Sequence, residues 1–263
     1  MGVKSFCKKV FNALGYEVHR KVSTTDAPKL MVAEHELDEG FRQMLGAWPA
    51  EISEDAGSIR LFTTYKAVHY IVDNEIAGDL IECGVFQGRH IFVMAKTLNL
   101  LGIRDRQIYL YDTFAGMTAP SAQDFKLSRP LDAESNLTKW QESAKDGHVD
   151  YCYAPIEQVK KTVFKSGYPE SMFTFVKGDV RETLPNNNHK KIAILRMDTD
   201  FYEATKWQLE HLYDMIVPGG LLIIDDYGSW AGCRKAVDEF IGDLPFRPLL
   251  NRTDRSERVL IKP

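Results

Sequence analysis

Long apolar runs are missing from this chain of 263 residues, and no stretch approaches the roughly 18 apolar residues of a membrane-spanning helix, so no transmembrane segment is expected. Cysteine is scarce: Cys7, Cys83, Cys152 and Cys233 lie far apart with no CxxC pair. That spacing argues against a disulfide scaffold or a cysteine-built zinc site and suits a reducing, cytoplasmic setting. Positive charge is not in excess. The net charge is -4 and no long Lys/Arg run occurs, so no nucleic-acid partner is expected. The first residues lack the continuous apolar block of a signal peptide. "MGVKSF" places Phe6 where a myristoylation pattern needs Ser or Thr. Internal repeats and low-complexity segments are absent as well.

With 44% hydrophobic and 27% charged residues, the chain can build one large core, with or without a small appendage. Val3, Phe6, Cys7, Val10, Phe11 and Leu14 fall at helical spacing among Lys4, Lys8 and Lys9. This segment either packs on the core or on a second copy of the chain, as in a homodimer, or lies on a membrane surface; packing is the preferred reading. Residues 1–58 read as a helical N-terminal extension broken by "STTDAP" and "GAWPAE". From Ile59 to the end, residues 59–263, helices and strands alternate. "GDLIECG", "QIYLYD", "MFTFVKG", "KIAILRMD" and "GGLLIID" read as buried strands, and "FRPLLN" and "RVLIKP" as a closing pair. Alternation of this kind predicts an α/β fold with a doubly wound, mostly parallel sheet. Residues 113–155 are polar and weakly periodic, too long for a simple connection, and are expected to form a lid.

In open α/β sheets, ligands bind outside the carboxyl ends of the strands. The first strand runs into "LIECGVFQGRH", where Glu82 precedes Gly84 and Gly88. This is not a dinucleotide GxGxxG, but its glycines allow close backbone approach, and an acid there can hold an amino group or a ribose. The second strand ends at Asp112, a place where such folds put an acid on ribose hydroxyls, and the third at Gly178 and Asp179. Any one of these acids can equally be a helix cap. The last two strands are harder to dismiss, because "ILRMDTDFYE" and "GGLLIIDDYG" bring Asp198, Asp200, Asp225 and Asp226 to neighbouring strand ends. Like charges about 4 Å apart repel by roughly 4 kcal/mol at an effective dielectric of 20. Protonation, solvent or a cation must relieve them. Carboxylate oxygens without Cys or His suit Mg²⁺, Mn²⁺ or Ca²⁺.

"GDLIECGVFQGRH", "IYLYDTFAGMTAPSAQD", "VKGDVRETLP", "ILRMDTDFYEAT" and "GGLLIIDDYGSWAGCRKAVDEF" together resemble the macrocin O-methyltransferase (TylF-like) family over about residues 59–245. The resemblance implies a Rossmann-like class I methyltransferase fold, S-adenosyl-L-methionine and Mg²⁺ or another divalent cation as cofactors, and a small-molecule acceptor, a sugar or glycosylated natural product methylated on a hydroxyl. It implies that Glu82, Cys83, Gly84, Val85 and the turn through Gly88 to His90 hold the methionine part of the cofactor. Asp112 would bind ribose, Asp179 would lie near adenine, and Thr113 and Phe114 complete the cofactor set. Asp198, Asp225 and Asp226 would bind the metal, with Asp200 as general base. His90 stands where the family pattern has a small residue. It either shifts the methionine end or begins the next helix, and the second reading is favoured.

The chemistry suits that division. An acceptor hydroxyl with a pKa of about 15.7 faces Asp near 3.9, a gap on the order of 16 kcal/mol. A divalent ion lowers that gap, and two adjacent hydroxyls chelating it would fix the attacking oxygen. A catechol-like or other diol acceptor would use the same acids. An NAD-dependent dehydrogenase fits less well, since hydride transfer needs no carboxylate cage. A catalytically silent binding subunit would not need all four aspartates.

Overall fold

The structure, a computed structural model, describes residues 38–49, 59–128 and 133–263. The amphipathic segment around Val3 to Leu14 lies outside the described residues. Helix α1 (Glu39–Gly46) begins at Asp38, whose carboxylate accepts from Phe41 N at 2.9 Å and from the Tyr65 hydroxyl at 2.6 Å. Tyr65 belongs to α2 (Ile59–Asp73). Phe41 and Met44 of α1 pack with Leu61, Tyr65, Phe92 and Val93, so this part of the N-terminal region shares a core with α2 and the helix after β1.

The remaining elements follow the alternation read from the sequence. They are β1 (Asp79–Cys83), α3 (Arg89–Leu100) and β2 (Ile108–Asp112); then α4 (Ala133–Glu142) with the hairpin β3 (Ala144–Lys145) and β4 (His148–Val149); then α5 (Ile156–Phe164), β5 (Phe173–Lys177) and α6 (Val180–Thr183). They continue with β6 (Ile192–Met197), α7 (Tyr202–Leu212), β7 (Ile216–Ile224), α8 (Ala231–Asp243), β8 (Asn251–Arg252) and β9 (Arg258–Ile261). The seven-stranded sheet has the order β5-β2-β1-β6-β7-β9-β8. Its first five strands are parallel and β9 returns antiparallel to β7.

Both faces of the sheet are covered, so the strands read as near-continuous apolar runs. Leu80, Ile194 and Ile223 face α2, α3 and α5, whereas Ile81, Leu195 and Leu222 face α7 and α8. The expected closing pair is displaced. "FRPLLN" contributes only its last residue, and β8 pairs Asn251 with Val259 and Arg252 with Arg258. Pro248 lacks an N–H and pushes strand formation past itself.

Residues 113–155, too weakly periodic for any element to be predicted, contain α4 and the β3–β4 hairpin. The early part is tied down by Asp124. Its buried carboxylate accepts from Ser121 N and Oγ and from Tyr202 N at the start of α7, each at 2.7 Å. Leu127 N and Ala231 N bond to Ser229 O and Phe125 O, which seats the segment beside the start of α8. Hydrogen bonds to a charged acceptor are worth about 1.5–3 kcal/mol each. Asp124→Ala should therefore cost about 2–5 kcal/mol in denaturant unfolding and speed amide exchange across 117–128. Unchanged stability would show that the anchor contributes nothing.

Candidate active site

Register explains why the acids meet. Cys83, Met197 and Ile224 are paired across β1, β6 and β7, so Gly84, Asp198 and Asp225 are the next residues out on three adjacent strands. Because side chains alternate along a strand, Glu82, Arg196 and Ile223 share one sheet face, and two residues further on Asp198 and Asp225 share it too. Asp198, Asp225 and Asp226 each offer a carboxylate oxygen within 4.8 Å of the others. Asp200 sits beside them in the left-handed region (φ 60), its N–H donating to Asp226 Oδ2 at 3.0 Å. A non-glycine residue held there carries backbone strain that its surroundings must maintain.

The protein supplies cations of its own to the cluster. Arg196, fully buried at 1% exposure, donates through Nη1 to Glu82 Oε1 and to Asp198 Oδ2, both at 2.7 Å, and through Nη2 to Asp225 Oδ1. Arg60 from α2 donates to the other oxygen of Asp225, and its Nε reaches Asp254 Oδ2 at 2.9 Å. Neither arginine was read from the sequence as part of the site. The signal was present: an arginine inside a buried strand must be paired, and period two places Arg196 on the face of Glu82 and Asp198.

Burial, with Asp198 adjacent, pushes the Asp200 carboxyl up to about 7 and Asp225 up to about 6, and holds Asp226 well above the usual carboxylate range. Burial also raises Glu82 to about 8 against the pull of Arg196, and Glu257, behind Asp225, to about 8. A carboxylate offers about four lone-pair sites, so Asp225 keeps capacity for a cation although each of its oxygens accepts from an arginine. The all-oxygen donor set of Asp198, Asp225 and Asp226 fits a hard divalent ion.

The expected cofactor residues lie along the same edge. Gly84 (φ 83) crosses so close to β6 that a Cβ would stand 1.9 Å from Asp198 O. A Cβ at Gly88 would press on Val163 of α5 at 2.9 Å, so that glycine serves helix packing. Asp112 is first a staple: Oδ2 accepts from Val85 N at 2.7 Å and Phe86 N at 3.0 Å, and Oδ1 from Phe114 N at 2.7 Å. It thereby clamps the turn after β1 to the loop after β2, with lone-pair capacity left over. The side chains of Cys83, Val85 and Phe114 are buried in the apolar cores. Thr113 Oγ1 closes its own turn onto Gly116 O at 2.6 Å. His90 is the second residue of α3, buried, with Nδ1 2.7 Å from Thr64 Oγ1. Asp179 caps α6 by accepting from Arg181 N at 2.8 Å and is ion-paired to the Arg181 side chain, so it stands apart from the aspartate cluster. Tyr151, half-buried and not singled out in the sequence, lies close enough to Asp200 for its charge to add to burial in raising the phenol, and Cys152 beside it is exposed.

A strand order that reverses at β1, acids at successive strand ends and an antiparallel closing strand are those of a Rossmann-like class I O-methyltransferase. Residues 9–255 match the family described as Macrocin-O-methyltransferase (TylF), and the chain belongs to that family. The 8-demethyl-8-(2,3-dimethoxy-alpha-L-rhamnosyl)-tetracenomycin-C 4'-O-methyltransferase of Streptomyces olivaceus is 31% identical over 218 residues, 82% of this chain and 78% of that protein. The mycinamicin III 3''-O-methyltransferase of Micromonospora griseorubida is 30% identical over 210 residues, 80% of this chain and 78% of its own length. The solved structure of the O-methyltransferase NovP superposes with a TM-score of 0.67 at 27% identity, over 82% of this chain and 84% of that one. Among the described residues, no helix is long and apolar enough to cross a membrane.

The raised acids fix a pH dependence. Between pH 7 and 8.5 the unfolded chain has already released its carboxyl protons, while folded Glu82, Glu257 and Asp200 still hold part of theirs. The folded state then binds more protons than the unfolded, and stability falls as pH rises through this window. His90 and His189, which burial keeps below their ordinary values, act in the opposite sense only at lower pH. Chelator-treated protein should therefore be less stable at pH 8.5 than at pH 7 in denaturant unfolding. A rise over that range would contradict the assignment.

Proposed function

We propose that this chain transfers the methyl group of S-adenosyl-L-methionine to a hydroxyl of a sugar on a glycosylated natural product, with a divalent cation, Mg²⁺, held by Asp198, Asp225 and Asp226. The observation that carries this reading is the convergence of those three carboxylates within 4.8 Å, with Asp200 beside them. The sugar acceptor is supported by the names of the tetracenomycin and mycinamicin relatives. A bound divalent cation would stabilise negative charge developing on the acceptor oxygen, and S-adenosyl-L-methionine supplies a methyl group on a sulfonium, a ready leaving group.

The chain's own residues do the rest. Glu82 keeps Oε2 buried and without a partner, an orphaned acceptor that suits the ammonium of the methionine moiety. The turn from Gly84 to Gly88, clamped by Asp112, sets the backbone against which the cofactor would lie. Asp179, at the β5 end, would flank the adenine. Asp200 takes the proton from the acceptor hydroxyl as the C–O bond forms and the C–S bond breaks. We assign the part of residues 113–155 beyond the Asp124 anchor to a lid over the acceptor.

The aspartates should fail in different ways. Asp200→Asn should keep cation and cofactor binding and lose turnover by about 10²- to 10⁴-fold. Asp198→Asn should weaken the cation, with partial recovery in excess Mg²⁺. Chelator should abolish methyl transfer to a sugar-bearing acceptor, followed by radiolabelled S-adenosyl-L-methionine. Activity that survives exhaustive chelation would overturn the metal role, and a normal rate for Asp200→Asn the base.

A further inference from the structure

We propose that Arg196 is a positioning residue: its guanidinium holds the cofactor-binding acid Glu82 and the metal-binding acids Asp198 and Asp225 as one rigid array, so that the two half-sites are set by a single side chain. The inference rests on the proposed function of those acids and extends it to a residue that touches neither ligand.

Position and chemistry carry it. Arg196 sits at the centre of the sheet on β6, register-paired with Glu82 on β1 and with Ile223 on β7. Its face of the sheet is otherwise apolar there, with Ile194 two residues before it and Ile223 alongside. Taking a guanidinium out of water costs several kcal/mol, and well-packed apolar residues often replace buried ion pairs with no loss of stability. Stability alone does not explain an arginine here. Geometry does: a planar fork presents donors in fixed directions, and this one spans acids from three strands, Glu82, Asp198 and Asp225.

Only one oxygen of Glu82 is used, since Oε2 remains buried and unpartnered. Arg60 and Asp254 brace Asp225 from the far side. Nη1 of Arg196 is shared between Glu82, on the cofactor side, and Asp198, on the metal side. A shift of one acid therefore moves the other. A lysine ammonium in the same place would keep the charge but not the fixed fork.

The test uses the full chain and two probes, S-adenosylhomocysteine by calorimetry without metal and Mn²⁺ by electron paramagnetic resonance without cofactor. Arg196→Lys should weaken both by about tenfold or more while the circular dichroism stays that of a folded protein. Ile223→Ala, a core change on the adjacent strand, should lower the melting temperature and leave both affinities within about twofold. Glu82→Asp retracts the cofactor-side acid by one methylene at unchanged charge, and Glu82 is not one of the metal-binding acids. It should nonetheless weaken Mn²⁺ by about fivefold, which keeps the proposal testable if Arg196→Lys fails to fold. Arg196→Lys with both affinities intact would reduce the arginine to a counter-charge and overturn the proposal. So would Glu82→Asp with unchanged Mn²⁺ binding, or equal losses in Ile223→Ala. Absence of Mn²⁺ and S-adenosylhomocysteine binding in the unsubstituted protein would instead defeat the functional reading on which it rests.

Discussion

Buried and half-buried carboxylates that meet at adjacent strand ends repel one another, and nearly everything else in this fold is arranged around their containment. Three of the acids, Glu82, Asp198 and Asp225, converge on the guanidinium of Arg196, and Asp225 is shared with Arg60. Asp226 and Asp200 lie beyond direct reach of that fork, linked to each other through the Asp200 N–H. Containment is incomplete, which is why burial leaves Asp200, Asp225 and Asp226 with carboxyl pKa values above the ordinary range. A site poised in this way gains by taking up a divalent cation.

The parallel sheet makes such a gathering feasible. Its register carries β1, β6 and β7 to the same level, and its two covered faces supply the rigidity that irregular loops would lack. Asp112 contributes from the next strand by clamping the backbone on both sides of the crevice. Phe86 and Phe114, the residues whose N–H groups it helps to hold, both adopt positive φ (47 and 49). Asp124 does similar work on the opposite side, fastening the segment after β2 to the start of α7. The crevice is thus bounded on both sides by carboxylates that act on backbone N–H groups.

Much of this was legible in the sequence, and the reasons are physical. Buried parallel strands give apolar runs that end abruptly, so the five parallel strands and their terminal acids stand out, and β6 and β7 are indeed neighbours. The edge strand β8 was misplaced because it is two residues long and its position depends on Pro248 and on pairing with β9. Elements α4, β3 and β4 are not legible in the sequence because short elements on a polar surface leave little periodicity. The cations supplied by Arg196 and Arg60 are harder to read, because the two arginines come from separate elements and meet the acids only once the sheet and α2 are assembled. Asp179 was legible both as a strand-end acid and as a helix cap, and it is the cap of α6, ion-paired to Arg181.

Anomalous diffraction from crystals grown with Mn²⁺ and S-adenosylhomocysteine addresses the central claim most directly. The account predicts one manganese peak within coordination distance of Asp198, Asp225 and Asp226, with the ammonium of the bound homocysteine moiety at Glu82 Oε2 and Arg196 still joining Glu82 to Asp198. A structure with bound S-adenosylhomocysteine but no manganese among those three aspartates would contradict it.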